Sequence, residues 1–199
     1  MANLSTTLGP GGRLTRLGLL DGPWSACFFA ALLGALGVIA AFPAPTVESA
    51  QVPPIAIAVA PTAGWEEAPA GGAAAAVLRR RDAGRVVAVL NVVISEGKKD
   101  GRSAITDPGV AEGLEQELVG AVPGARARAR AFTKVAGFDA LSVTADMTLD
   151  GKAKVLRQTT VDVRRGAVTV TVIADAAVAG SVLAEADGIV GAMVIDAVQ

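Results

Sequence analysis

The sequence predicts an α+β fold. The expected form is an antiparallel sheet of about six to seven strands flanked by two helices, preceded by one transmembrane or signal helix. Three observations lead there. Arg85–Ser95 alternates without a break, with Val86, Ala88, Leu90, Val92 and Ile94 on one face, the period of a strand. Asp150-Gly151 separates two further strand runs, and a two-residue turn of this kind needs positive φ at both positions. Val110, Leu114, Leu118 and Val122 repeat every four residues, the stripe of a helix set apart from the strand runs.

Composition removes more chemistry than any motif adds. The chain has 199 residues, 52% of them apolar and 19% charged, with a formal charge of −1. That excludes a disordered, strongly charged chain and leaves no global field to attract nucleic acid. There is no His, no Tyr and one Cys. Without His there is no Ser-His-Asp or Cys-His catalysis and no imidazole zinc site. One Cys permits no intrachain disulfide and no CxxC pair. No glycine-rich nucleotide loop and no EF-hand loop occurs. No cofactor is expected.

The N-terminal part reads as an address. Residues 1–23 carry Arg13 and Arg16 and form a cytoplasmic segment. Residues 24–42, from Trp24 to Phe42, carry no charge. At about 1.5 Å per residue this run just spans a bilayer core. Arginines before it and Glu48 after it orient the remainder outward. Val38-Ile39-Ala40 offers small residues at −3 and −1, so cleavage near Ala40 and a retained anchor are both open. Residues 43–54 hold four prolines and read as an extended tether. Residues 55–199 form the exported domain. The protein is thus expected in the cell membrane, single pass with its N-terminus cytoplasmic, or secreted after cleavage.

Within that domain, Ile55–Ala60 is a short strand ended by Pro61. Gly64-Trp65 is a turn and an anchor, with Trp65 mostly buried at a sheet edge. Ala73–Arg81 is a second strand, and Asp82-Ala83-Gly84 loops into Arg85–Ser95, whose apolar face makes it central. Residues 96–106 form a polar loop. Asp107-Pro108 supplies an N-cap and a first-turn proline for the helix that Pro123-Gly124 stops. Arg126, Arg128 and Arg130 alternate with alanines, so a period of two puts three guanidinium groups on one face. Gly137 breaks that strand, and Phe138–Leu149 is the next. Lys152–Arg164 returns after Asp150-Gly151, and Arg165-Gly166 turns into Ala167–Ala174. A last helix runs from about Ala179 to Val198 with Val182, Ala186, Ile189, Val190, Met193 and Ala197 at helical spacing along its apolar face.

This layout resembles the PsbP/Mog1-like fold, and within it the LpqN-type lipoproteins and secreted proline-rich antigens of actinobacterial envelopes. The carrying features are Pro61-x-x-Gly64-Trp65, Asp107-Pro108, Gly137-Phe138 before a strand, the Asp150-Gly151 hairpin, the VTVTVIAD strand end and the closing amphipathic helix. They cover residues 55–198. The lipoprotein members carry a lipidated Cys after the signal, and Cys27 sits at the start of the apolar run instead. The resemblance implies a fold more than a function. Its plant members assist photosystem assembly, its yeast member binds a small GTPase, and it supplies no catalytic residue to carry over.

The candidate anion or partner contacts are Arg126, Arg128 and Arg130, extended by Arg79, Arg80 and Arg81 if the strands are neighbours. Lys98, Lys99 and Arg102 on the polar loop join them, because binding concentrates on loops. Glu112, Glu115 and Glu117 read as a solvated helix face. The expected function is a non-enzymatic binding or accessory module of the cell envelope. Its partner would be an envelope protein, a lipid or a cell-wall component, with the membrane reached through Trp24–Phe42. The alternative is a carrier of an apolar or lipidic ligand held between sheet and helix. A carboxylate enzyme would need at least two convergent acids, which no spacing here indicates.

Overall fold

Alternating apolar residues and two-residue turns lay down most of the strands. A computed structural model describes residues 55–96, 105–163 and 166–197. The strands are β1 (Ile55–Ala58), β2 (Trp65–Glu67), β3 (Ala74–Asp82), β4 (Arg85–Glu96), β5 (Arg126–Val135), β6 (Phe138–Leu149), β7 (Lys152–Val163), β8 (Gly166–Asp175) and β9 (Val194–Ala197). Helix α1 is Pro108–Ala121 and helix α2 is Ala179–Gly191. Seven strands form one antiparallel sheet in the order β2-β3-β4-β8-β7-β6-β5, and β1 pairs with β9 in a second sheet.

The turns follow from backbone chemistry. Asp150 and Gly151 adopt φ of 51° and 72° between β6 and β7, as a type I′ turn requires. The β3–β4 and β5–β6 connections use the same geometry, with Ala83 and Ala136 at φ of 48° and 50° before Gly84 and Gly137. Alanine is an uncommon residue at positive φ, so Ala136-Gly137 is not announced by its residue types. β7 ends at Val163 and β8 begins at Gly166, which lies opposite Val163. Gly166 is therefore a ladder residue rather than part of the turn, and the connecting positions 164–165 lie outside the described residues.

Both sheet faces are covered, and the register assigns each residue to one of them. On the α2 face, Leu90 of β4, Val172 of β8 and Val155 of β7 pack with Leu183 and Ile189 of the helix. On the α1 face, Leu141, Val143, Ala145 and Met147 of β6 pack with Leu118 and Ala111. Asp107 caps α1 by accepting a hydrogen bond from the Gly109 N–H at 2.8 Å, and Pro108 occupies the first turn. The cap stands as read; of the Val110–Val122 stripe, Leu118 is buried in the helix and Val122 is buried just past its end in extended backbone, while Val110 and Leu114 are partly buried.

The final element differs from its reading. α2 ends at Gly191, and Val194–Ala197 forms β9, which pairs antiparallel with β1. The apolar positions continue at helical spacing, so periodicity alone extends the helix. Local propensity opposes this, because Gly188 and Gly191 weaken the last turn while Val194-Ile195 favours a strand. The pairing with β1, more than a hundred residues earlier, then gives both segments hydrogen-bond partners along one side. The apolar run at 24–42 and the tether at 43–54 lie outside the described residues. Among the described residues no helix is long and apolar enough to cross a membrane.

Candidate functional site

β5 closes one edge of the large sheet and is its most exposed strand: nine of its ten residues are exposed and only Val135 is buried. The preceding turn aims it outward. Gly124 at φ of 76° follows α1, and the Ala125 N–H donates to the Val122 carbonyl at 3.0 Å. Ala125 is buried under α1, and from Arg126 the chain runs along β6, with no strand on its other side among the described residues.

A bulge splits the three arginines that a strict period of two places together. Ala127 faces Ala145 and Ala129 faces Thr144, so Arg128 is the extra residue between them. Arg126 lies opposite Asp146, and Arg130 opposite Val143. Asp146 and Val143 sit on opposite faces of β6, because they are an odd number of residues apart. Arg130 therefore faces α1, where its Nη1 lies 3.4 Å from Glu115 Oε2. Arg128 Nη1 lies 3.7 Å from Asp146 Oδ1. The expected single guanidinium face is thus two groups, each beside a carboxylate.

The other candidates fall elsewhere. Arg79, Arg80 and Arg81 lie on β3, near the opposite edge of the sheet, so they do not extend the β5 cluster. Lys98, Lys99 and Arg102 lie outside the described residues. Glu112 accepts from Gln116 Nε2 at 3.2 Å on α1. Glu117 is half-buried, and burial pushes its carboxyl above the ordinary glutamate value. Among the described residues no three acidic side chains gather as metal ligands.

Two carboxylate clusters arise from contacts between distant parts of the chain. Glu185 Oε2 on α2 accepts from Trp65 Nε1 and from Arg80 Nε, both at 2.9 Å. These bonds, the one from Arg80 first, hold its carboxyl below the usual glutamate range. At the start of the helical segment after β8, Asp175 accepts from Lys154 Nζ and from Arg85 Nη2, the latter at 3.2 Å. The Lys154 bond chiefly lowers its pKa. Trp65 is 5% exposed in edge strand β2, a buried anchor at the sheet edge as expected. Its acceptor is 120 residues away, a distance over which no spacing rule works.

A third feature is a polar row on the α1 face. Asn91 of β4, Thr171 of β8 and Gln158 of β7 lie side by side in register, all buried. The Thr171 hydroxyl is buried and makes no hydrogen bond. A buried hydroxyl without a partner carries its desolvation cost uncompensated. Thr171→Val keeps the shape and removes that cost. It is expected to raise unfolding free energy by about 1 kcal/mol in urea titration.

This arrangement of sheet and helices is shared with solved structures, although no family model and no curated protein matches the chain. One is LpqN, involved in cell envelope biogenesis of Mycobacterium tuberculosis. It superposes with a TM-score of 0.55 at 14% identity, over 71% of this chain and 83% of LpqN. Another is the cyanobacterial PsbP protein CyanoP from Synechocystis sp. PCC 6803. There the TM-score is 0.50 at 14% identity, over 78% of this chain and all of CyanoP (100%). Identities this low speak for architecture alone, and the architecture they share with this chain is the PsbP/Mog1-like fold.

Proposed function

We propose that this chain is a non-enzymatic binding or accessory module of the cell envelope, acting outside the cytoplasm. The observation that carries the reading is the conjunction of an LpqN-like fold, in described residues that begin at Ile55, with the uncharged run at 24–42 upstream of them. In this reading residues 1–23 stay in the cytoplasm, 24–42 cross or address the membrane, 43–54 tether, and 55–199 are exported. The partner is an envelope protein, lipid or cell-wall component. The exposed β5 edge, with its cations and Phe132, is the contact surface the geometry favours. Carriage of an apolar ligand is supported less well. The space between sheet and α2 holds Val182, Leu183, Ala186 and Ile189, all buried against the strands.

Cell fractionation with intact-mass measurement tests the reading. Full-length protein in the membrane fraction supports a retained anchor at the membrane surface. A chain beginning near Ala41 outside the cell supports secretion. Full-length soluble protein in the cytoplasm overturns the proposal.

A further inference from the structure

We propose that β5 receives an extended acidic segment of a partner protein as an added antiparallel strand. The inference deepens the binding-module reading and rests on it for its biological setting. The argument begins with the β5–β6 turn. Ala136 and Gly137 form a two-residue turn with Val135 opposite Phe138. In such a hairpin the flanking pair exchanges both hydrogen bonds, and bonded and non-bonded pairs then alternate along the ladder. Val135, Thr133 and Ala131 are thus bonded to β6. Lys134, Phe132 and Arg130 direct their N–H and C=O groups away from it, toward the free edge.

Those same three residues define what would fit beside them. They alternate along β5, so their side chains share the α1 face, where Arg130 meets Glu115. Their order along that face is cation, aromatic, cation. Phe132 is 49% exposed, one of two large hydrophobic side chains left exposed among the described residues. Lys134 pairs with exposed Asp139 on the neighbouring strand, at 2.9 Å. Arg130 and Glu115 are also partly open to solvent. Solvent-exposed pairs of this kind are weak and can yield to an incoming carboxylate. A complementary strand therefore carries acidic, apolar and acidic residues at alternate positions, each opposite one of the three.

Two features restrict the partner. The bulge at Arg128 twists the N-terminal end of β5 and interrupts its ladder. Pairing is thereby confined to Ala129–Val135. The cations disfavour a second copy of β5, since antiparallel self-pairing brings arginines and lysine against one another. The opposite edge offers no equivalent. β2 spans three residues, Trp65–Glu67, and Trp65 is bonded into α2 through Glu185.

The test is amide hydrogen exchange by NMR on the full chain in detergent micelles. The probe is an acetylated peptide, Thr-Glu-Thr-Val-Thr-Glu-Thr. Saturating peptide is expected to slow exchange of the Arg130, Phe132 and Lys134 amides by about tenfold or more. The Ala131 and Thr133 amides, already bonded to β6, should not change. Lysine in place of both glutamates should weaken binding by about fivefold or more. N-methylation of the Glu, Val and Glu nitrogens should abolish it, with the protein untouched. Phe132→Ser should weaken binding while the far-UV spectrum stays the same. Absence of binding, equal binding of the N-methylated peptide, or slowing that appears on concentration without peptide each overturns strand addition. The envelope reading is decided separately, by fractionation.

Discussion

Glu185→Ala is expected to lower unfolding free energy by about 2 kcal/mol, with the charge-assisted hydrogen bonds from Trp65 and Arg80 lost and partial exposure discounting each. The substitution leaves the Trp65 indole N–H buried without its acceptor and releases Arg80. β2 is a three-residue strand on the sheet edge, and this carboxylate ties its Trp65 to α2 beside the apolar packing between them. Glu185→Gln keeps an acceptor for Trp65 and loses the charge, so roughly half the cost should return. Acid should act in the same direction. A carboxyl whose folded pKa lies below its unfolded value contributes stability above the unfolded value and loses it as pH falls through the folded one. Glu185 and Asp175 both lie below their ordinary values of 4.5 and 3.8. Stability should therefore decline from about pH 4.5 downward, and Glu185→Gln should flatten that decline. Urea titrations at pH 7, 4 and 3 read both effects, and an unchanged acid limb in the variant would show that another group governs it.

The cluster has a built-in test of geometry. Gly64 adopts φ of +84°, and a Cβ there would lie 2.8 Å from Arg80 Cζ. A side chain at that position both strains the turn and pushes the guanidinium from Glu185. The glycine is thus required for a specific reason, and the Gly64-Trp65 pair marks a constrained approach rather than a flexible link.

What the sequence makes legible divides by range. Short-range signals carry through: the Asp107 cap, the Pro108 first turn, the alternation of β4 and the Asp150-Gly151 turn are all local backbone chemistry. Strand alternation also places β4 inside the sheet. The errors arise where distant partners decide. β9 is a strand because β1 lies beside it, and the helical spacing of Met193 and Ala197 conceals that. The arginine face fails for a subtler reason. Period-two reasoning assumes an uninterrupted ladder, and a single extra residue at Arg128 reverses the relation between Arg126 and Arg130. Alternating Arg-Ala carries no mark of where a bulge falls. The Trp65–Glu185 contact and the buried polar row depend on strand order, which local pattern leaves open.

Leu90→Ala should produce the largest loss, about 3–4 kcal/mol, because Leu90 is 0% exposed beneath α2 and a methyl cannot fill its place. Leu141→Ala, at 1% exposure on the α1 side, should cost nearly as much. The two leucines belong to separate clusters on opposite faces of one sheet. If the sheet couples those clusters, both variants should unfold in one transition, with fluorescence and circular dichroism coincident. Two separated transitions in Leu141→Ala would instead make the α1 layer an independently melting unit. Phe132→Ala, half-exposed on β5, should change stability by less than about 0.5 kcal/mol. The contrast matters for function. Stability resides in the leucine and valine layers, whereas the outer surface of β5 contributes little to it. Substitutions along that edge can therefore be read as changes in binding, without a folding defect mixed in. The side chains best placed to meet a partner are the ones the fold needs least.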